Sequence, residues 1–254
     1  VITLGKVISV HSYRGGTGKS TVAANLAVCA LQMGKRVAVL DSDLQSPGIH
    51  VLFGLAKDQI LLTLVDFLWD RCTIDETAYD VTNKVCPEVD GKLWLVPASL
   101  TTAAITRILD EGYDVKRLNA HFDRLIQDFE LDYLLIDTHP GLNRETLLST
   151  AISDMLILLL RPDQQDYYGT AVLSEIAQKL EIAQTCIILN KIYSMANADS
   201  LRQKIEETFK YEVVGMIPLS EDLARLESKD LIVRVHPEHE VTHRFIEMAQ
   251  RIFK

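Results

Sequence analysis

Apolar residues along this chain of 254 residues fall into short continuous runs that alternate with segments of helical spacing. The continuous runs, which are rich in Val, Ile and Leu, cover residues 6–12, 36–43, 92–99, 131–141, 154–163, 185–191 and 212–220. Between the first two runs, residues 20–34 have helical spacing and end on Gly34, a residue type that often closes a helix. Buried strands separated by helices indicate a doubly wound α/β fold, with a mostly parallel sheet and helices on both faces.

Three further segments complete the predicted organisation. Residues 59–71 and 115–130 have the spacing of helices, whereas residues 72–92 have the composition of a linker and are interpreted as an insertion. Repeats and low-complexity stretches are absent from the sequence. We therefore expect a single domain over residues 1–254, a length that can bury a full core.

Composition and charge narrow the class of protein. The chain is 48% hydrophobic and 24% charged, with a net charge of −9 and no run of Lys or Arg longer than two. A DNA-coating surface needs clustered Lys and Arg, so DNA is not a favoured partner. The four cysteines lie far apart without a C-x-x-C pair, which argues against a zinc ribbon or a redox site and favours buried, reduced thiols.

Targeting signals are not visible in the sequence. It contains no apolar run of 18 residues and no signal peptide, so we expect a cytoplasmic protein, with peripheral attachment to the inner membrane left open. The chain begins at Val1 and enters a strand almost at once, so we expect residues upstream of it.

The sequence HSYRGGTGKST, residues 11–21, contains most of a phosphate-binding loop. In a strand–loop–helix unit the backbone N–H groups point at phosphates, and the helix N-terminus adds partial positive charge. Lys19 is expected to reach the β- and γ-phosphates, and the Ser20 hydroxyl to hold Mg²⁺. The candidate nucleotide-binding residues of the loop are Gly15, Gly16, Thr17, Gly18, Lys19, Ser20 and Thr21.

Acidic residues follow two of the predicted strands. Asp41 and Asp43 are two apart at the end of one strand and are expected to face the same way, which suits a magnesium shell and a base that positions water. Asp137 ends a second apolar run and is expected to hold a water of the magnesium ion. His139 follows it and is interpreted as a solvent-facing loop residue.

The loop RGGTGKST resembles the deviant Walker A box of the MinD/ParA family of P-loop ATPases, K-G-G-x-G-K-[ST]. The resemblance covers nearly the whole chain through four motifs in the same order. It implies that Asp43 orients the attacking water and that Asp41 contacts Mg²⁺ through water. It also implies that Asn190 reads adenine and that Pro218 lies along the purine.

The chain departs from the family at the signature lysine, whose place is taken by Arg14. Tyr13 holds the position of the opening glycine of a standard P-loop, G-x-x-x-x-G-K-[ST]. In the family the signature lysine reaches a phosphate of a nucleotide sandwiched between two subunits. Arg14 is therefore a candidate catalytic residue beside Lys19 and Asp43, acting as an arginine finger across the dimer. The alternative is that Arg14 pairs with a nearby carboxylate and leaves a weak or silent ATPase.

The resemblance implies that the chain forms a homodimer with ATP and hydrolyses the ATP slowly to ADP with the help of Mg²⁺. This cycle would act as a switch that positions a cellular cargo. An activator or cargo protein is the implied partner. One alternative is a non-hydrolysing scaffold like the degenerate pilus-localising relatives, in which the nucleotide is structural. A ligase of the cobyric-acid type ranks low, because no separate substrate domain fits in this length.

The C-terminal segment leaves a choice between core and membrane. Residues 240–254 carry Val241, Phe245, Met248 and Ile252 on one helical face, with basic residues around it. Such a stripe can lie in a bilayer interface, but it is more often the last core helix of a domain.

Overall fold

The computed structural model describes residues 5–99 and 114–254 and, between them, Thr101, Ala103, Thr106, Arg107 and Asp110. Its strands are β1 Lys6–His11, β2 Arg36–Asp41, β3 Tyr79–Asp80, β4 Lys92–Val96, β5 Tyr133–Asp137, β6 Met155–Leu160, β7 Gln184–Ile192 and β8 Glu212–Pro218. They form one sheet in the order β3-β4-β2-β5-β1-β6-β7-β8. Every neighbouring pair is parallel except β3 with β4.

The helices alternate with these strands along the chain. They are α1 Lys19–Gln32, α2 Ile49–Leu52, α3 Leu64–Leu68, α4 Thr82–Val85, α5 Val115–Ala120, α6 Phe122–Asp128, α7 Arg144–Ala151, α8 Gln164–Lys179, α9 Ala198–Phe209, α10 Glu221–Arg225, α11 Ile232–Val235 and α12 Glu240–Ile252. Short 3₁₀ turns occur at Lys57–Gln59, Asp75–Thr77 and Met195–Asn197.

Side chains of the central strands alternate between two hydrophobic layers. In β6, Ile157 and Leu159 pack in a core with α1, α11 and α12. Leu156 and Leu158 point the other way and pack with α8 and α9, while α3, α5 and α6 extend that second layer over β2, β4 and β5. The predicted doubly wound, mostly parallel α/β fold is confirmed.

Helix α1 joins the glycine loop to the core. Its N-cap is Gly18, at φ 97°, and its buried residues run along most of its length. Gly34 has φ +78° just past its end and donates its N–H to Leu31 O, so the predicted glycine stop is confirmed.

The interpretation of residues 72–92 as a linker-like insertion is wrong. Tyr79 and Asp80 form the antiparallel edge strand β3, and the buried Val81 and Val85 pack in the main core. The segment therefore closes one edge of the sheet.

The two helices predicted over 59–71 and 115–130 are shorter than expected. Helix α3 starts only after Thr63, because the Tyr79 hydroxyl accepts the N–H of Leu62 (2.8 Å) and donates to its carbonyl (2.8 Å), which holds that backbone away from a helix. The second segment divides at His121 into α5 and α6.

The four cysteines are free thiols, as predicted, but only Cys29 and Cys186 are buried; Cys72 and Cys86 are half-buried. Burial raises the pKa of Cys29 and of Cys186 to about 12, so both stay protonated at neutral pH.

The C-terminal stripe is part of the core. Phe245 is fully buried, and Met248 packs on Gly215 of β8, where a Cβ would overlap its sulfur. The interpretation of this stripe as the last core helix is confirmed, because β8 and α1 cover its apolar face. The alternative that the same face lies in a bilayer interface is wrong. Among the residues that the structure describes, none of the helices has the length and apolarity to cross a bilayer.

Replacing Phe245 with Ala should lower the free energy of unfolding by about 3–5 kcal/mol, because the buried ring leaves a cavity. Urea denaturation measures this change. The matched control is Ile246→Ala on the exposed side of the same helix, expected within about 0.5 kcal/mol of wild type. Equal small effects at both positions would show that α12 does not belong to the core.

Candidate functional site

The glycine loop between β1 and α1 is held by hydrogen bonds of its own. Gly16 and Gly18 have φ of +74° and +97°, values that L side chains rarely adopt. The Ser12 hydroxyl donates to Arg14 O (2.8 Å), and the Thr17 hydroxyl donates to Ser12 Oγ (2.9 Å). These bonds and backbone angles fix the shape of the loop, with the N-terminus of α1 behind it.

The end of β7 fastens this loop from the far side. Asn190 donates its amide to Thr17 O (2.7 Å), and Lys191 donates from Nζ to Gly16 O (2.7 Å). A Cβ at Gly18 would lie 2.6 Å from the Asn190 amide nitrogen, so only glycine allows this approach. Asn190 is therefore engaged with the loop backbone, and its second N–H is left for other acceptors.

Lys19 is a buried cation among carboxylates. Burial lowers the pKa of Lys19, while the charges of Asp137 and Asp43 raise it. Asp41 and Asp137 are buried and lie opposite each other in the register of β2 and β5. Burial first, and then the neighbouring carboxylates, raise the pKa of Asp41 well above its ordinary value.

Asp137 has the features of a cation ligand. Burial raises its pKa to about 6, opposed by the nearby Ser20 hydroxyl and by Lys19, and its Oδ1 atom is buried without a hydrogen-bond partner. In the part of the chain that the structure describes, no three His, Cys, Asp or Glu side chains converge to hold a metal alone. A cation here would need further oxygen ligands such as phosphates, which is how Mg²⁺ usually binds with nucleotides.

The sequence predicted that Asp41 and Asp43 lie on the same strand and face the same way, and this prediction is wrong. Strand β2 ends at Asp41, the chain bends, and the Asp43 N–H donates to Asp41 Oδ1 (3.0 Å). The Asp43 carboxylate instead contacts His139, with 2.7 Å between its Oδ1 and His139 Nδ1. The interpretation of His139 as a solvent-facing loop residue is therefore wrong: its side chain is 26% exposed.

His11 ties the end of β1 to the loop after β5. The Thr138 hydroxyl donates to Val10 O (2.9 Å), so it accepts from His11 Nδ1 (2.7 Å). Burial, and next the charge of Lys19, lower the pKa of His11 to about 3, so its ring is neutral. Gly141 N–H also donates to Ser12 O (3.1 Å), which holds the two loops together.

Arg14 lies at the outer edge of the glycine loop. Its guanidinium is 40% exposed and 3.8 Å from a carboxylate oxygen of both Asp163 and Asp166, at the start of α8. Arg161 contacts the same two carboxylates more closely, with 2.9 Å from its Nε to Asp166. The predicted alternative, an arginine paired with nearby carboxylates, is the arrangement found.

Tyr13 packs against α8 through a glycine. A Cβ at Gly169 would overlap the Tyr13 ring and lie 2.6 Å from Tyr13 Cβ. Glycine inside a helix is unfavourable by about 0.5–1 kcal/mol relative to Ala. Its presence here is explained by the space that it leaves for the Tyr13 ring to pack against α8.

A cavity of about 250 Å³ opens beside the loop. Its lining includes Gly18 and Thr21 from the loop and α1, Asn190 and Lys191 from β7, and Pro218 from β8. The two residues that the family resemblance assigns to the nucleotide base, Asn190 and Pro218, therefore share one cavity with the loop.

Sequence reasoning missed three contributors: Lys191, His139 as a partner of Asp43, and Gly169 as the seat of Tyr13. Lys191 follows Asn190 at a strand end, and that position was a usable signal. The other two depend on partners distant in sequence.

The fold and the glycine loop together define a P-loop nucleoside triphosphatase domain, because the loop follows the central strand β1 at the carboxyl edge of a parallel sheet. Residues 5–192 match a family described as an AAA domain. The chain belongs to this family, within the MinD/ParA group of P-loop ATPases.

Curated relatives cover most of the chain. An uncharacterised ATP-binding protein of Methanocaldococcus jannaschii is 28% identical over 230 residues, covering 89% of this chain and 80% of that protein. The septum site-determining protein MinD of Thermotoga maritima is 24% identical over 255 residues, covering 98% of this chain and 88% of MinD.

Solved structures confirm the fold. The cell division ATPase MinD of Pyrococcus furiosus has a TM-score of 0.82 at 23% identity and covers 98% of both chains. MinD of Pyrococcus horikoshii, solved with Mg-ADP, has a TM-score of 0.80 at 22% identity, with 98% of this chain and 96% of that chain covered.

Asp137→Asn should stabilise the nucleotide-free chain at neutral pH. The folded pKa is raised from 3.8 to about 6, so between these values the folded chain binds more protons than the unfolded chain. The free energy of unfolding of wild type therefore falls as the pH rises through that window, by at most about 3 kcal/mol. Because Asn carries no charge, the free energy of unfolding of the variant does not fall in this way as the pH rises.

Urea unfolding of wild type and Asp137→Asn across that pH range measures the effect, with the exposed Asp58→Asn as control. The Asp137→Asn curve should lie above wild type at neutral pH and approach it near the lower pKa. A variant less stable than wild type at neutral pH would contradict the electrostatic account.

Gly169→Ala should destabilise the wild-type chain by about 1–3 kcal/mol, because the new Cβ displaces Tyr13. In a Tyr13→Gly background the same change should stabilise by about 0.5–1 kcal/mol, since only helix propensity remains. Thermal or urea unfolding of the four proteins gives the double-mutant cycle. An effect of the same sign in both backgrounds would show that ring and glycine do not interact.

Proposed function

We propose that this chain is an ATP-dependent dimerisation switch that hydrolyses Mg-ATP slowly to ADP and phosphate and positions a cellular cargo. The observation that carries the proposal is the buried Lys19 at the end of an open glycine loop, facing Asp43 and Asp137. A cation and carboxylates around an anion-binding loop are the groups that phosphoryl transfer requires.

The magnesium ion has suitable ligands in this site. Ser20 and Asp137 would hold it, with Asp41 acting through water, and the unpartnered Oδ1 atom of Asp137 fits that role. When bound, Mg²⁺ neutralises phosphate charge. Lys19 would bind the outer phosphates, and the N–H groups of Gly15 to Ser20 would surround them.

The nucleotide base fits the cavity beside the loop. Asn190 keeps one N–H after its bond to Thr17 O, which supports recognition of adenine. Tyr193 stands where GTPases carry the aspartate of N-K-x-D, a pattern that would favour guanine.

Dimerisation is supported by the surface around Arg14. The side chains of Tyr13, Leu142 and Tyr168 are exposed on the glycine loop, on the loop after β5 and on α8, and such apolar side chains suit contact with a second copy. Arg14 must leave its carboxylates to reach a partner's phosphate. The ion pair with Asp163 is exposed and contributes about 1 kcal/mol or less, and Arg161 would still contact both carboxylates, so the release of Arg14 has a small cost.

A cargo or partner protein is supported by the names of relatives. A MinC:MinD cell division complex of Aquifex aeolicus shares this fold, with a TM-score of 0.80. Iron–sulfur cluster carrier proteins are also relatives, but this sequence has no C-x-x-C, which speaks against such a cargo.

The rival function is a non-hydrolysing, nucleotide-bound scaffold. The engagement of Arg14 by Asp163 and Asp166, and the seat of Tyr13 on Gly169, favour it, because both hold the start of the loop on α8.

Asp43→Ala should roughly double the solution mass with Mg-ATP but not with Mg-ADP, because loss of the water-orienting carboxylate prolongs the ATP state. Light scattering with both nucleotides measures this. Lys19→Ala is the control, expected to bind no nucleotide and to stay monomeric. Equal mass in both nucleotides, with ATP bound to Asp43→Ala, would support the scaffold instead.

A further inference from the structure

Asp43 and His139 occupy equivalent positions beyond two neighbouring parallel strands. The register of β2 and β5 places Asp41 opposite Asp137. Asp43 lies two residues after Asp41, and His139 lies two residues after Asp137. The Ser42 N–H donates to Asp137 O (2.9 Å), which extends the pairing past the strand end. The contact between the two side chains therefore follows from strand register.

The hydrogen bonds at Asp43 distinguish its two carboxylate oxygens. A carboxylate only accepts, so His139 carries its proton on Nδ1 and donates to Oδ1 (2.7 Å). The same oxygen accepts the N–H of Ser46 (3.0 Å). Within the described part of the chain, no hydrogen bond reaches Oδ2, so two donors fix one oxygen and leave the other for water.

The pair faces the phosphate loop. The Asp43 carboxylate is near enough to Lys19 to raise the pKa of that lysine. His139 also precedes Pro140, whose Cγ would lie 3.9 Å from a Cβ at Gly15. The Asp43 carboxylate is therefore near Lys19, the His139 ring is held on that carboxylate, and the residue after His139 packs beside the start of the loop.

We propose that His139 is a positioning residue for ATP hydrolysis, which holds Asp43 through its Nδ1–H so that Oδ2 accepts a hydrogen bond from the attacking water. This inference rests on the proposed function, and it adds a residue that sequence reasoning had set aside.

The hydrolysis that His139 would support needs only ATP and water as reactants. The water oxygen forms a bond to the γ-phosphorus while the bond to the β,γ-bridging oxygen breaks, and that electron pair stays on ADP. Both protons of the water leave with the inorganic phosphate, which releases one to solvent. Asp43 accepts a hydrogen bond throughout and is unchanged at the end.

A matched pair of amides tests the position of the donor. His139→Asn places an amide nitrogen near the place of Nδ1, whereas His139→Gln carries the same group one bond further. His139→Ala should lower kcat about tenfold to a hundredfold, because a small misplacement of a reacting group has effects of that size. His139→Asn should recover most of kcat, His139→Gln should not, and KM and ADP affinity should stay within about twofold of wild type.

His243→Ala is the control for replacing a histidine, because His243 is exposed on α12. It should match wild type in both constants and in ADP affinity.

A second readout needs no nucleotide. Long-range ¹H–¹⁵N NMR of the histidine rings, above the ordinary imidazole pKa, reports which nitrogen carries the proton. His139 should show the Nδ1–H form, assigned by its loss in His139→Asn, and Asp43→Ala should shift it towards Nε2–H.

The outcomes separate this inference from the proposed function. An active wild type with unchanged kcat in His139→Ala, or a parallel loss of kcat and ADP affinity, would overturn the positioning role while the ATPase stands. An Nε2–H form in wild type would also overturn it. A wild type that binds ATP without hydrolysing it would remove the proposed function, and the positioning role with it.

Discussion

The burial of two carboxylates, Asp41 and Asp137, is the constraint on which this site depends. They lie opposite each other at the carboxyl edge of the sheet. Burial is the main cause that raises both pKa values; the charges of Asp137 and Asp43 add to it at Asp41, and the charge of Asp43 adds to it at Asp137. A buried charge without a partner is strongly unfavourable, so such a site favours a ligand that supplies positive charge. Within the described residues, the Oδ1 atom of Asp137 is buried without a hydrogen-bond partner. Under the proposed function, Mg²⁺ would supply the positive charge, and the same ion would couple nucleotide binding to the stability of the fold.

Strand register carries this electrostatic arrangement into the loops. Because β2, β5 and β1 are adjacent and parallel, the residues just past their ends meet in a fixed order. His139 meets Asp43 across one pair of strands, and His11 meets Thr138 across the other. Nucleotide at the glycine loop would therefore contact a frame that hydrogen bonds join to both neighbouring loops.

The start of the glycine loop is held on α8 by two contacts of different strength. The ion pair of Arg14 with Asp163 is half-exposed and contributes about 1 kcal/mol or less, and the buried Asp166 is held more closely by Arg161 than by Arg14. The packing of Tyr13 on Gly169 buries part of an aromatic ring, and full burial of a large apolar side chain is worth about 1.5–3 kcal/mol. Arg14 can therefore detach while Tyr13 remains seated. Under the proposed function, this difference would let Arg14 reach a second subunit while the loop stays anchored on α8.

The sequence by itself determined the α/β class, the glycine loop and the glycine stop of α1, because these depend on local periodicity and backbone conformation. It failed where distant contacts override local pattern. Strand β3 has two residues, too few for periodicity, and it exists because it pairs with β4. The helix predicted over 59–71 was shortened by a tyrosine from that same edge. The partners of His139 and Gly169 were likewise decided by tertiary structure alone, because strand register and helix packing are set by the whole chain at once.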